Sequence, residues 1–236
     1  MSVLGIVPAR GGSKRIPDKN IIPFCGRPML SYVLEAARAS GIFDKIHVST
    51  DSNKIATVAA GLGFEPDFMR DASLADDFTP LLPVLKWVVN QYAAKGISFD
   101  TIFLLMPCAP LLEAEDLKRG LDVFREHGGE KPLMAVAPYP VPVEWAFEMK
   151  SGGALEALNT AALNMRSQDI PEKFYDAGVF DIYSSRNLAE NKDIGEYGFI
   201  SIKVAPHTAI DIDTPEDLIL AEALYQGLHP NRFCPE

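Results

Sequence analysis

Val3-Leu4-Gly5-Ile6-Val7-Pro8-Ala9-Arg10-Gly11-Gly12-Ser13-Lys14-Arg15-Ile16-Pro17-Asp18-Lys19-Asn20 decides how this chain folds. Val3 to Val7 is a continuous apolar run closed by a proline, so it reads as a strand buried on both faces rather than on one. The residues after Pro8 turn abruptly polar: two adjacent glycines and four basic residues, Arg10, Lys14, Arg15 and Lys19. A buried strand that delivers the chain into a basic glycine turn is how an α/β domain opens, with a ligand loop at the strand's carboxyl end.

Short apolar runs of the same kind return at Ile46 to Ser49, Ile102 to Leu105, Leu133 to Ala137 and Ile200 to Val204. Between them the spacing predicts helices. Pro28–Ala39 begins on a proline suited to a first turn, and Ser52–Ala60 on a capping serine. Leu81–Ala94, Glu113–His127 and Pro215–Leu228 complete the alternation. The expectation is one α/β domain over residues 1–236, with a mainly parallel Rossmann-like sheet covered by helices on both faces. Its ligand loops are those after Val7, Thr50, Leu105 and Ile212. Residues 138–181 break the pattern, with Pro138, Pro140 and Pro142, then Trp145, Phe147, a Gly152-Gly153 turn and an extended-looking Lys173 to Asp181. They are expected to form an arm or hairpin excursion, a candidate dimer interface, although an insertion packed on its own subunit has the same composition.

The 236 residues are 47% apolar and carry 22 basic against 32 acidic side chains, a formal charge of -10. That balance disfavours a general nucleic-acid surface. It also makes the four bases near the N-terminus stand out against the overall sign. Cys25, Cys108 and Cys234 are widely spaced and lack a C-x-x-C pair, so reduced thiols and a cytoplasmic setting are expected. The apolar stretch after Met1 is too short for a signal peptide, and no run approaches the ~20 apolar residues of a membrane helix.

The turn after the first strand has the composition of a phosphate loop. Glycines let backbone N–H groups approach a phosphate without a Cβ in the way. Ser13 adds a hydroxyl, Arg10 a planar fork and Lys19 a mobile charge. It is neither a Walker A loop nor a G-x-G-x-x-G dinucleotide turn. Taken alone, a solvated basic loop would look the same. Near the other end stands Asp211-Ile212-Asp213-Thr214-Pro215-Glu216-Asp217. Helix capping accounts for Thr214, Glu216 and Asp217. Asp211 and Asp213, two apart on an expected strand, would share a face and converge on Mg²⁺.

With both ends in view, the chain resembles the acylneuraminate cytidylyltransferase family. The resemblance is carried by Pro8 to Pro17 with Lys19-Asn20, Gly26-Arg27-Pro28-Met29 and Val48-Ser49-Thr50-Asp51. Arg70, Leu74-Ala75-Asp76-Asp77 and Asp211 to Asp217 extend it over almost the whole chain. It implies a nucleotidyltransferase-type fold and an Mg²⁺-dependent, cytoplasmic, homodimeric enzyme that joins CMP from CTP to an acidic nine-carbon sugar with release of pyrophosphate. By the same resemblance Ala9, Arg10, Gly11, Gly12, Ser13, Lys19, Asn20 and Arg70 bind the nucleotide. Arg10, Lys19 and Asp211 are catalytic, and Asp211 and Asp213 hold the metal. Arg166, Gln168, Tyr175 and Met106 are assigned to the sugar.

Within the family, Arg166-Ser167-Gln168-Asp169-Ile170-Pro171 and Tyr175-Asp176-Ala177-Gly178 are similar to the pseudaminate enzymes. Met106 stands where sialate enzymes carry glutamine, which suits a more deoxygenated sugar. Legionaminate and N-acylneuraminate are the alternative substrates. A non-catalytic nucleotide-binding regulator would explain the basic loop but not the aspartates that accompany it, and an NAD-dependent oxidoreductase lacks its glycine fingerprint.

Overall fold

A computed structural model describes residues 1–189 and 198–230. Among them, β1 Val3–Pro8, β4 Lys45–Ser49, β5 Thr101–Leu105, β6 Leu133–Pro138, β9 Phe174–Ser184 and β10 Ile200–Lys203 form a six-stranded sheet in the order β10-β6-β9-β5-β1-β4. Two short hairpins stand apart from it: β2 Pro23–Phe24 with β3 Arg27–Pro28, and β7 Phe147–Met149 with β8 Leu155–Ala157. The helices described are α1 Leu30–Ser40, α2 Asn53–Gly61, α3 Leu81–Ala94, α4 Ala114–Glu126, α5 Ser185–Ala189 and α6 Pro215–Leu228.

β1 shows why the sheet is sandwiched. All six of its residues are buried. Val3 and Val7 face a core completed by α1, α2 and α4. Leu4 and Ile6 face the opposite core, completed by α3 and α5. Alternation therefore persists, but both faces are apolar because both are covered. A third core, under α6, joins Ile16, Phe24, Tyr32, Cys108 and Ile212, and so ties the first turn of the chain to its last segment.

Helix boundaries follow the capping chemistry. Ser52 accepts from the Ile55 N–H, Glu113 and Asp116 form a reciprocal box on α4, and Thr214 and Asp217 form one on α6 with Pro215 in its first turn. Pro28 is the exception. It pairs with Pro23 in the β2–β3 hairpin, and α1 starts two residues later.

β9 is the larger correction. It lies between β5 and β6 and is antiparallel to both, whereas β1 with β4, β1 with β5 and β6 with β10 pair in parallel, so the sheet is mainly parallel as expected. Phe174 to Asp181, expected in the excursion, therefore belongs to the sheet, while the chain from Pro142 to Asp169 forms the β7–β8 hairpin and short 3-10 turns outside it. The extended character of β9 is as expected, but a register shift against β6 breaks its period-two pattern and hides its place in the sheet. Asp211 to Asp213 is not a strand; Ile212 is fully buried while the two aspartates beside it line a cleft. Cys108 is a free buried thiol, and Cys234 lies outside the described residues. No described helix is long and apolar enough to cross a membrane.

Candidate active site

A cleft of about 550 Å³ opens at the carboxyl ends of β1 and β5, within the ~300–1,000 Å³ usual for small-molecule sites. Arg10, Ser13, Lys14, Arg15, Lys19 and Asn20 line it from the first loop, Arg70 to Thr79 contribute a second wall, and Met106 to Cys108 form the floor after β5. Asp211 and Asp213 close it from the far end of the sequence. The basic turn and the aspartates thus share one cavity, as the sequence reading requires.

Charges in the cleft are paired across loops. Lys19 Nζ donates to Asp213 Oδ1 at 2.9 Å and to the Ile212 carbonyl at 2.8 Å. Arg15 Nη1 sits 2.7 Å from the other carboxylate oxygen of Asp213. On the opposite wall Arg10 Nη1 donates to Asp77 Oδ1 at 2.7 Å, and Lys14 pairs with Asp77 Oδ2. Asp211 differs. Burial, then the charge of Asp213, pushes its carboxyl above the ordinary carboxylate range, although Lys19 and Arg15 pull the other way. A carboxylate that is penalised as an anion and opens into a cleft suits a divalent cation. Among the described residues no group of three or more His, Cys, Asp or Glu forms a metal cluster. Asp211 and Asp213 both line the cleft, and a pair of this kind is compatible with an ion that prefers few carboxylates plus water and phosphate oxygens.

Arg70 is only 6% exposed. Its Nε donates to Ser49 Oγ at 3.0 Å and its Nη2 to the Ser49 carbonyl at 2.6 Å, so its orientation is fixed by the end of β4. Burial lowers its pKa to about 10, with Asp51 opposing and Arg10 adding to the fall. Asn20 is equally enclosed: Nδ2 donates to the Arg10 carbonyl at 2.9 Å, and Cys108 Sγ donates to its Oδ1 at 3.4 Å. Burial pushes the Cys108 thiol up to about 12, which makes it a wall rather than a nucleophile.

Three residues of the expected phosphate loop sit differently. Ala9 is fully buried and its N–H donates to Ser49 at 2.9 Å, extending the β1–β4 ladder. The Gly11 N–H is taken by Asp51 Oδ1 at 3.0 Å. A Cβ on Gly11 would lie 3.0 Å from Ser52, so this glycine permits loop-to-loop contact rather than phosphate approach. Gly12 stands in open space. The cavity lining contains none of the three.

Of the sugar-side residues, Met106 lines the cleft, its N–H anchored on Val179 at 3.0 Å. Arg166, Gln168 and Tyr175 do not. The Arg166 side chain is 72% exposed and pairs with Asp169 in the next turn, 2.7 Å away. Gln168 is exposed, and Tyr175 packs edge-on against Tyr139 at 5.2 Å. Sequence reasoning missed Asp77, Lys14 and Arg15 as site residues. A basic cluster needs nearby anions, and the Asp76-Asp77 pair was the signal for them. His47 is buried; desolvation lowers its pKa to about 4, so it is neutral at physiological pH.

The model of a family described as cytidylyltransferase matches residues 4–229. A pseudaminic acid cytidylyltransferase of Campylobacter jejuni subsp. jejuni is 35% identical over 99% of this chain and 100% of that one. A CMP-N,N'-diacetyllegionaminic acid synthase of Legionella pneumophila is 28% identical over 96% and 97% of the two chains. An N-acylneuraminate cytidylyltransferase of Streptococcus agalactiae is 27% identical over 93% of this chain and 52% of its own length. In fold, the chain matches a CMP:2-keto-3-deoxy-manno-octonic acid synthetase complexed with CTP, at a TM-score of 0.71 and 16% identity over 97% of this chain and 100% of that one.

Proposed function

The chain belongs to the cytidylyltransferase family, and we propose that it joins CMP from CTP to the anomeric hydroxyl of an acidic nine-carbon sugar, releasing pyrophosphate with Mg²⁺. One observation carries this reading: Arg10, Lys14, Arg15 and Lys19 meet Asp211 and Asp213 in a single cleft. Transfer to an attacking hydroxyl is mostly positioning and charge stabilisation, for which this cleft supplies guanidinium, ammonium and carboxylate groups.

Arg10 and Lys14 hold the phosphate chain from one side, and Lys19 neutralises the departing pyrophosphate from the other. Arg70 and Asn20, both locked by hydrogen bonds, shape the wall against the nucleoside. Asp211 and Asp213 would hold Mg²⁺, which when bound supplies charge neutralisation beside the α-phosphate. Asp211, whose carboxyl is pushed up, accepts the proton of the anomeric hydroxyl as its oxygen bonds to the α-phosphorus. The bond from that phosphorus to pyrophosphate breaks in the same displacement.

Pseudaminic acid is the favoured sugar. Support comes from the full-length similarity to the Campylobacter enzyme and from the Met106 thioether in the cleft floor, which offers no amide hydrogen bonds to a hydroxylated substrate. Legionaminic and N-acylneuraminic acids are the alternatives. The active species is a homodimer. Val141, Phe147, Met149, Leu155 and Leu158 of the arm are between 48% and 72% exposed, an apolar surface that a second copy would cover. The deciding assay is pyrophosphate release with CTP, Mg²⁺ and each of the three sugars. The reading requires all three components, and a thermal shift with CTP without turnover on any sugar would favour a nucleotide-binding regulator instead.

A further inference from the structure

Two cations of the cleft are already holding an anion. Arg10 Nη1 reaches both the Asp76 carbonyl and Asp77 Oδ1 at 2.7 Å, while Lys14 takes Asp77 Oδ2. Asp77 therefore offers one oxygen to a guanidinium and the other to an ammonium, as a phosphate group would. The turn that presents it is fixed by its neighbour, since Asp76 Oδ1 accepts the N–H groups of Phe78 at 2.9 Å and Thr79 at 2.6 Å. Phe78, at the cleft rim, is 90% exposed, so the wall is held by polar contacts rather than by burial of its aromatic side chain. Lys14, and then Arg10, hold the Asp77 carboxyl below the usual range, so it is ionised at neutral pH.

We propose that Asp77 is an internal phosphate surrogate that competes with the polyphosphate for Arg10 and Lys14, latching the wall formed by Asp76 to Thr79 when the nucleotide site is empty. The inference rests on the transferase reading for its biological meaning but not for its test. Any ligand that engages these cations must first displace Asp77, so its affinity is reduced by the free energy of the latch. The pairs are partly exposed, which keeps that free energy small enough for rapid exchange. The latch weakens CTP binding slightly, and it hastens the loss of pyrophosphate by re-pairing as that product leaves. A ligand that does not reach the pair, such as CMP, is unaffected.

Calorimetric titration of wild type, Asp77→Asn and Asp77→Glu with inorganic pyrophosphate, CTP and CMP tests this at fixed Mg²⁺. Asp77→Asn is expected to bind pyrophosphate and CTP about three- to tenfold more tightly, with CMP changed less than about twofold. Asp77→Glu, which keeps the charge, should stay near wild type. Pyrophosphate affinity that is unchanged or weaker in Asp77→Asn, with an unaltered melting temperature, overturns the latch. So does equal tightening in the glutamate variant. Failure of wild type to bind CTP would count against the transferase reading, while the pyrophosphate comparison still decides the latch.

Discussion

Lys19 Nζ lies 2.9 Å from Asp213 Oδ1, a carboxylate 194 residues further along the chain. Neither side chain is widely exposed, at 20% and 27%. The contact is made possible by the core under α6, where Ile16 packs with Ile212, so the residues flanking each charge are already joined by apolar burial. The basic turn and the aspartates thus meet because two hydrophobic anchors bring the two segments together, and the ion pair refines their placement.

Lys19→Met should lower kcat by about a hundredfold, the order seen when one donor to a developing oxyanion is removed. Arg15 would still pair with Asp213, so the melting temperature is expected to move little. The check is a steady-state measurement beside a thermal melt. A larger rise in the KM for CTP than fall in kcat would assign Lys19 to ground-state binding instead.

Asp211→Asn should cost at least about a hundredfold in turnover, given that metal-borne charge stabilisation is worth several kcal/mol and each 1.36 kcal/mol is tenfold. Stability should move the other way. Burial and Asp213 already penalise the Asp211 anion, so a neutral amide relieves both and the melting temperature at neutral pH should hold or rise. A variant that keeps full activity removes Asp211 from the chemistry.

Much of this architecture is legible in the sequence, because apolar runs and capping residues act locally. Leu81–Ala94 and Pro215–Leu228 begin and end where spacing and caps place them. What spacing cannot report is which loops meet. That Gly11 donates to Asp51, or that Arg10 and Lys14 are held by Asp77, depends on the β1–β4 pairing and on the return of the chain at Arg70, whose N–H bonds to Thr50. The place of β9 in the sheet was hidden for a different reason: its register shift, together with Gly178 at φ 62°, erases the alternation that marks a sheet strand, although the segment reads as extended. The arm misled most. Arg166 has the right chemistry for a sugar carboxylate, yet it does not line the cleft of this chain.

Gly120→Ala should destabilise the protein by roughly 1–3 kcal/mol, although alanine is the better helix former. A Cβ there would come within 2.7 Å of the Phe180 ring, where α4 crosses β9. Denaturant unfolding measures the loss, and the double variant Gly120→Ala/Phe180→Leu should recover part of it. Stabilisation by Gly120→Ala alone would show that this contact yields without strain.

Asp181 gives a pH dependence. Burial, then the charge of Asp176, raises its carboxyl to about 7, with the Tyr183 hydroxyl at 3.0 Å opposing. The folded state therefore keeps a proton that the unfolded chain has lost, so stability contributed at low pH is withdrawn as pH rises from about 4 to about 7. Asp181→Asn cannot ionise. Its melting temperature relative to wild type should climb between pH 5 and pH 8, and a constant difference across that range would show that Asp181 is ionised throughout.

Arg166 tests the dimer and the sugar site together. Its guanidinium is tied to Asp169 on the exposed arm and does not line the cleft of its own chain. If it serves a sugar carboxylate, it does so in the cleft of a second copy. Arg166→Ala should then raise the KM for the sugar by about tenfold or more, the loss of a charge-assisted fork, while that for CTP changes little. Mixing Arg166→Ala with inactive Asp211→Asn decides the arrangement. In a swapped dimer, one cleft of each mixed pair combines an intact Asp211 with an intact Arg166 from its partner, so activity at low sugar concentration should exceed the sum of the two variants. No gain on mixing, with subunit exchange verified by light scattering or mass measurement of tagged copies, would confine Arg166 to the arm.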